Sequence, residues 1–240
     1  MKTAIIIGVG PENGLGAQLC IRFARLGMHV YLAGRTQSGL DALVTLIEAD
    51  GGVATACVTD AGDENQVTRL FGKACESGPL ALAIYNVGNN TPGCIADMDA
   101  DYFTSSWRTT CFGGFLFARE AVRHMQPSHA GTILFTGASA SLRGKANFGA
   151  FNSAKAGLRT LAQALAKEVG PDGIHVGHII IDGAIDGEKV RKRFPEYAER
   201  LGAGGMVNLQ GIVDAYEFLY RQGPSAWTFE LDLRTSLETW

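Results

Sequence analysis

One stretch near the start of the chain restricts the possible folds sharply. Ala4-Ile5-Ile6-Ile7 is a continuous apolar run, Gly10-Pro11-Glu12-Asn13-Gly14-Leu15-Gly16 follows it, and Leu15, Leu19, Ile21, Phe23 and Leu26 then recur with helical spacing. An unbroken β-branched run suits a strand covered on both faces, as in a parallel sheet. Strand, glycine turn and helix in immediate succession open a β-α-β unit. Backbone N–H groups in such a turn come close to a bound pyrophosphate, and the helix N-terminus adds a favourable dipole. The plainer alternative is a tight turn with no ligand. The flanking strand and periodic helix favour the binding reading.

The alternation continues to the end of the chain. Further strands are predicted over 28–33, 53–58, 80–87, 132–135, 174–181 and 227–233, and helices over 40–49, 63–75, 102–125, 151–169, 188–201 and 209–221. Asp63 and Gln66 read as a capping box opening the third helix. Strands alternating with helices predict a doubly wound, Rossmann-type parallel sheet of about seven strands, with right-handed crossovers and helices on both faces. Hydrophobic residues at 46% and charged residues at 19% supply a core for a single domain over residues 1–240. The least regular segment, 183–207, runs through Gly202-Ala203-Gly204-Gly205 and is predicted to be a mobile substrate lid.

Charge and cysteine usage narrow the partners. A net charge of −3, without a run of Lys or Arg, argues against nucleic acid and against an anionic membrane. Apolar runs fall short of membrane-spanning length, and the first strand begins too early for a leader, so a cytoplasmic protein is expected. Cys20, Cys57, Cys75, Cys94 and Cys111 are scattered and odd in number, which predicts buried thiols and no metal. The histidines show no paired spacing; His178 alone falls near the cleft end of a strand. Trp240 is expected either to pack on a neighbouring subunit or to fray.

The nucleotide can be specified further. At the end of the second strand, where a carboxylate would bind the adenosine ribose of NAD, the chain has Gly34-Arg35-Thr36. No acid stands there to repel a 2′-phosphate, and an arginine fork is placed to hold one, so NADP(H) is the expected cofactor.

Together these residues resemble the short-chain dehydrogenase/reductase family over nearly the whole chain. The segment from Val9 to Gly16 resembles its Thr-Gly-x-x-x-Gly-x-Gly loop, with Val9 in place of the threonine. Thr59-Asp60-Ala61 is similar to the family's adenine-contacting segment, and Asn86-Val87-Gly88 to its Asn-Ala-Gly motif. Phe151-x-x-x-Lys155 stands where the family has Tyr-x-x-x-Lys, and Asp182-Gly183 where it usually has Pro-Gly beside the nicotinamide. The resemblance implies that Gly10, Asn13, Gly14, Leu15 and Gly16 hold the pyrophosphate, with Arg35 and Thr36 at the 2′-phosphate. Asp60, Ala61, Asn86, Val87 and Gly88 would flank the adenosine, Lys155 would orient the nicotinamide ribose, and Gly183 would lie near the nicotinamide. It also implies subunit pairing through helices 102–125 and 151–169, hence a homodimer or homotetramer.

The departures fall at the catalytic end. The family's serine position is Ala138 here, with Ser139 adjacent; its helix asparagine matches Thr110; its tyrosine is Phe151. The alternative tyrosine position used by enoyl reductases is Phe148. A reduced carbonyl needs a proton, and phenylalanine supplies none. An iminium substrate arrives already protonated, and an aromatic pocket with Asp182 nearby would favour its charge, so NADPH-dependent imine reduction is one expectation. Otherwise Asp182, Tyr102 or Tyr197 supplies the acid for reduction of an activated C=O or C=C bond in a small molecule. A non-catalytic NADP-binding redox sensor or partner subunit is the alternative outside enzymes, and elimination or addition chemistry is a further one.

Overall fold

Seven strands in the order β3-β2-β1-β4-β5-β6-β7, every pair parallel, form the sheet of the computed structural model, which describes residues 1–202 and 204–238. They are β1 (Thr3–Ile7), β2 (His29–Gly34), β3 (Val53–Val58), β4 (Leu80–Tyr85), β5 (Gly131–Thr136), β6 (Ile174–Asp182) and β7 (Glu230–Arg234). The helices between them are α1 (Leu15–Arg25), α2 (Gln37–Ala49), α3 (Glu64–Glu76), α4 (Ala100–Trp107), α5 (Gly113–Met125) and α6 (Gly149–Val169), with α7 (Glu188–Arg193), α8 (Pro195–Leu201) and α9 (Leu209–Arg221) before β7. The doubly wound Rossmann-type sheet read from the sequence is the fold of the chain.

Alternating side chains divide the core. Ala4, Ile6, Val30 and Leu32 face α1, α2 and α9, where they meet Leu19, Phe23, Leu40, Ile212 and Leu219. Ile5, Ile7, Ala83 and Phe135 face α3, α5 and α6, against Val67, Phe71, Phe117 and Leu158. All five residues of β1 and all nine of β6 are buried, as strands covered on both sides must be. The order reverses at β1, which lies between β2 and β4, so a crevice opens beyond the carboxyl ends of these strands.

Some elements differ from their predicted form. The expected helix 102–125 is interrupted by a π-helical turn, Arg108–Phe112, between α4 and α5. Its cause is a packing demand. Tyr85, fully buried on β4, donates its hydroxyl to the carbonyl oxygen of Thr109, and a Cβ on Gly113 would come within 2.5 Å of that hydroxyl oxygen. The expected helix 188–201 breaks into α7 and α8 because Pro195 starts a new first turn. The last strand begins later than predicted: Pro224–Ala226 forms a 3-10 turn, and Trp227 stacks on His175 with ring centroids 5.0 Å apart. The capping box is half-formed. Asp63 accepts from the Gln66 N–H, while the Gln66 side-chain oxygen accepts from Asp60 instead of Asp63. Trp240 lies outside the described residues, as does Ala203 within the expected lid.

Candidate active site

The glycine loop leaves β1 through Gly8, whose φ of 89° belongs to the left-handed region that glycine adopts freely. The Gly8 and Val9 N–H groups both donate to the Ala33 carbonyl oxygen at 3.0 Å, tying the loop to β2. A Cβ on Gly16 would lie 2.7 Å from the Gly8 carbonyl oxygen and one on Gly14 2.9 Å from that of Pro11, so the turn is closed by backbone. A Cβ on Gly10, by contrast, would meet no protein atom within 4 Å. Leu15 and Gly16 open α1 with no side-chain cap and no acid in the first turn. Such an N-terminus is electrically and sterically open to an anion.

Arg35 is exposed just beyond β2, and Thr36 is the N-cap of α2 without using its side chain there. A second cation, Lys189, joins Arg35 from α7. Crowding by surrounding protein, and then the Arg193 and Arg35 guanidiniums, lower the Lys189 ammonium below its ordinary range. Helix α7 reaches this place because the Glu188 N–H donates to the Asn13 carbonyl oxygen at 2.9 Å and Arg193 reaches the Thr91 hydroxyl at 3.5 Å. The base of the expected lid is closed by a parallel bridge between Ile185 and Val207.

The adenosine-side residues act differently from one another. Asp60 is exposed, and one of its oxygens accepts from the Gly62 N–H at 2.8 Å. Ala61 packs in the core beneath Gly113 and reaches the cleft only by its backbone. Asn86 is an internal strut: its amide donates to the Gly8 carbonyl oxygen at 3.2 Å and accepts from the Thr136 hydroxyl at 2.9 Å. Tyr216 of α9 bonds the same Thr136 hydroxyl at 2.6 Å, so three strands and a helix are cross-linked beneath the glycine loop.

At the other end of the cleft stands Lys155, on α6 and 4% exposed. Its ammonium donates to the carbonyl oxygens of Val87 at 3.0 Å and Thr136 at 2.7 Å, and it has no carboxylate partner among the described residues. Burial pulls it down to about 7. A Cβ on Gly88 would sit 3.1 Å from Lys155 Cε and 3.7 Å from the Phe151 ring, so lysine, phenylalanine and the strand-end glycine are brought together. Phe148 carries Lys145 over its ring, 5.6 Å from the centroid. Thr110 is buried within the π turn. Ser139 is half-buried at the start of a 3-10 turn, Ser139–Ser141, and its side chain makes no hydrogen bond to the described residues.

Two expectations for this end need correction. Asp182 is not presented as a free acid or as a counter-ion for a cationic substrate. Arg143 donates to both its oxygens at 2.9 Å, and Arg234 lies 3.3 Å away, so the carboxylate is committed to two guanidiniums. Tyr102 and Tyr197 are occupied elsewhere: the first donates to the Thr91 carbonyl oxygen and the second lies under Arg200. Gly183, with φ 147°, packs 3.0 Å from Val207 by its virtual Cβ, at the base of the expected lid.

Sequence reasoning missed one buried polar chain. His178 accepts at Nε2 from the Ser141 hydroxyl at 3.5 Å and donates at Nδ1 to Glu230 at 3.0 Å; Arg159 forks onto the same carboxylate at 2.6 and 2.8 Å. Burial pulls His178 down to about 4. A neutral ring with its proton on the Glu230 side therefore supports the turn carrying Ala138 and Ser139. His178 was the one legible signal for it, although it lies at the middle of β6 and not at its expected place near the cleft end.

Comparison with known proteins follows the same lines. The family model for short chain dehydrogenases matches residues 2–197. Versicolorin reductase 1 of Dothistroma septosporum is 30% identical over 187 residues, covering 77% of this chain and 69% of that protein. The 3-oxoacyl-[acyl-carrier-protein] reductase MabA of Mycobacterium avium is 26% identical over 202 residues, 84% of this chain and 73% of that one. The crystal structure of a short-chain dehydrogenase from Rhodopseudomonas palustris superposes with a TM-score of 0.84 at 37% identity, covering 97% of this chain and 98% of that one. A metagenomic short-chain oxidoreductase in complex with NADP shares the fold, with a TM-score of 0.82 at 18% identity and 98% of each chain covered. The chain belongs to the short-chain dehydrogenase family.

Proposed function

We propose that this family member is an NADP(H)-dependent reductase that delivers hydride to an activated carbonyl compound, at C=O or at a conjugated C=C, without a tyrosine acid. The observation that carries the reading is Lys155, a buried ammonium at about 7 in contact range of Phe151 and Gly88. A proton carrier tuned near working pH is what general acid catalysis asks for. Relatives named as reductases support the direction of the reaction.

The residues present fit the dinucleotide. Gly10, Asn13, Gly14, Leu15 and Gly16 would hold the pyrophosphate where Gly10 opens onto free space and α1 is uncapped. Arg35, Thr36 and the lid's Lys189 would hold the 2′-phosphate. Asp60, Ala61, Asn86, Val87 and Gly88 would flank the adenosine, and Gly183 the nicotinamide. NADPH, when bound, supplies the hydride. The chain supplies the rest: Phe148 and Phe151 exclude water, Lys155 keeps a proton at Nζ, and Thr110 and Ser139 are the polar groups closest in role to the family's asparagine and serine. The segment 183–207 acts as the substrate lid.

Reduction of a C=N bond draws on the same missing acid, but the charges argue against an iminium. Asp182 is paired with arginine, and Lys145 and Lys155 add positive charge without an ion-pair partner among the described residues. A field of that sign stabilises developing negative charge, as on an alkoxide or enolate. Exposed Phe103, Trp107 and Phe115 on α4 and α5 would be covered in a homodimer or homotetramer. Free thiols at all five cysteines suit a reducing compartment, the cytoplasm.

The test is NADPH oxidation with a ketone, an enone and a cyclic imine of one carbon skeleton. Turnover should favour the carbonyl compounds and fall at least about a hundredfold in Lys155→Met. Preference for the imine would overturn the carbonyl assignment, and absence of turnover with tight NADP binding would leave the sensor reading.

A further inference from the structure

We infer that Arg143 anchors a carboxylate group on the substrate and that Asp182 aims it. The inference rests on the reductase reading for what is reduced, and on geometry for where the anion sits.

Arg143 bridges the mouth of the cleft. Its carbonyl oxygen accepts from the Asn152 side chain at 2.7 Å, one residue from Phe151, while its own side chain crosses to the end of β6. There a single nitrogen, Nη2, donates to both oxygens of Asp182. Nε and Nη1 have no partner among the described residues, and the side chain is 42% exposed. A guanidinium pinned by one nitrogen and open at the others is pre-organised for a second, planar anion. Asp182 itself is 2% exposed and is also shared with Arg234, which pairs with Asp232 as well.

Arg234 backs the Arg143–Asp182 pair from the far side, itself held by Asp232, and the Glu238 carboxylate lies 3.6 Å from a virtual Cβ on Gly183. The Asn152 bond to the Arg143 carbonyl ties this arginine to the start of α6, where Phe148 and Phe151 offer ring surface. A small oxo acid with an apolar body matches both features. Asp182, in the place where a proline would leave no charge, thereby gains a purpose: it fixes the arginine and lets the substrate supply the second carboxylate.

Benzoate and its neutral isostere benzamide are the probes, titrated by calorimetry into the NADP-saturated protein. Benzoate should bind about tenfold to a hundredfold more tightly, the scale of a charge-assisted hydrogen-bond pair. Arg143→Met should bring benzoate down to the benzamide level and leave benzamide unchanged; Arg234 still pairs with Asp182, so the fold is retained. Arg143→Lys should recover part of the difference, and Asp182→Asn should lose part of it. Equal affinity of the two probes, binding of neither, or equal loss of both in Arg143→Met would overturn the inference. Because binding is read without turnover, a failed reductase assay with an intact benzoate preference would count against the reaction and not against the anion site.

Discussion

Lys155 carries opposing demands. Its ammonium lies among apolar side chains with only two carbonyl oxygens for partners, so folding must dehydrate it. The folded value of about 7 lies below the ordinary 10.5, so the unfolded chain binds an extra proton between those limits. Stability conferred by the neutral amine is therefore full above pH 10.5 and is lost as pH falls towards 7. The unliganded protein should gain about 3–4 kcal/mol between pH 7 and pH 10 from this group, read from urea midpoints. Lys155→Met should flatten that limb. His178 acts in the same sense lower down: from about 4 folded against 6.5 unfolded, it should remove up to about 3 kcal/mol as pH falls through that window. That Phe151 and Lys155 share one side of α6 was legible because their spacing is a local fact. The commitment of Asp182 was not, since Arg143 and Arg234 lie far from it in sequence and meet it only through the turn after β5 and the register of β6 on β7.

Elements place these residues through close approaches that sequence patterns show poorly. Strand and helix boundaries followed from apolar periodicity, and the longest strand and helix, β6 and α6, agree closely with their predicted spans. The π turn escaped because a side chain from another element, Tyr85, takes the Thr109 carbonyl out of the helical ladder. Such insertions widen a helix and recur at functional sites. The space for this turn depends on Gly113, where a Cβ would lie 2.6 Å from the Ala61 carbonyl oxygen as well as against Tyr85. Gly113→Ala should therefore cost about 1–3 kcal/mol in urea unfolding, despite the higher helix propensity of alanine. A stabilised variant would contradict this account of the turn. The break at Pro195 was readable in principle, since proline opens a helix far more readily than it continues one.

On the scale of the whole molecule, the family fold is kept. The sheet, the open glycine loop and the Asn86–Thr136–Tyr216 cross-link preserve a nucleotide cradle. At the opposite end Phe151 and Lys155 meet Gly88, and Arg143 and Arg234 pair with Asp182. The proposed assembly would cover the exposed aromatic residues on α4 and α5; Trp107→Glu should then lower the mass measured by analytical ultracentrifugation, and an unchanged mass would place the contact elsewhere. In the proposed hydride transfer, Lys155 does the work of the absent tyrosine. Its most direct test is the pH profile of NADPH oxidation with an activated ketone from pH 6 to 9, compared between the native chain and Lys155→Met. The account requires kcat/KM to fall as pH rises and the ammonium loses its proton, with no comparable activity in the variant. A flat profile, or turnover that survives in Lys155→Met, would contradict it.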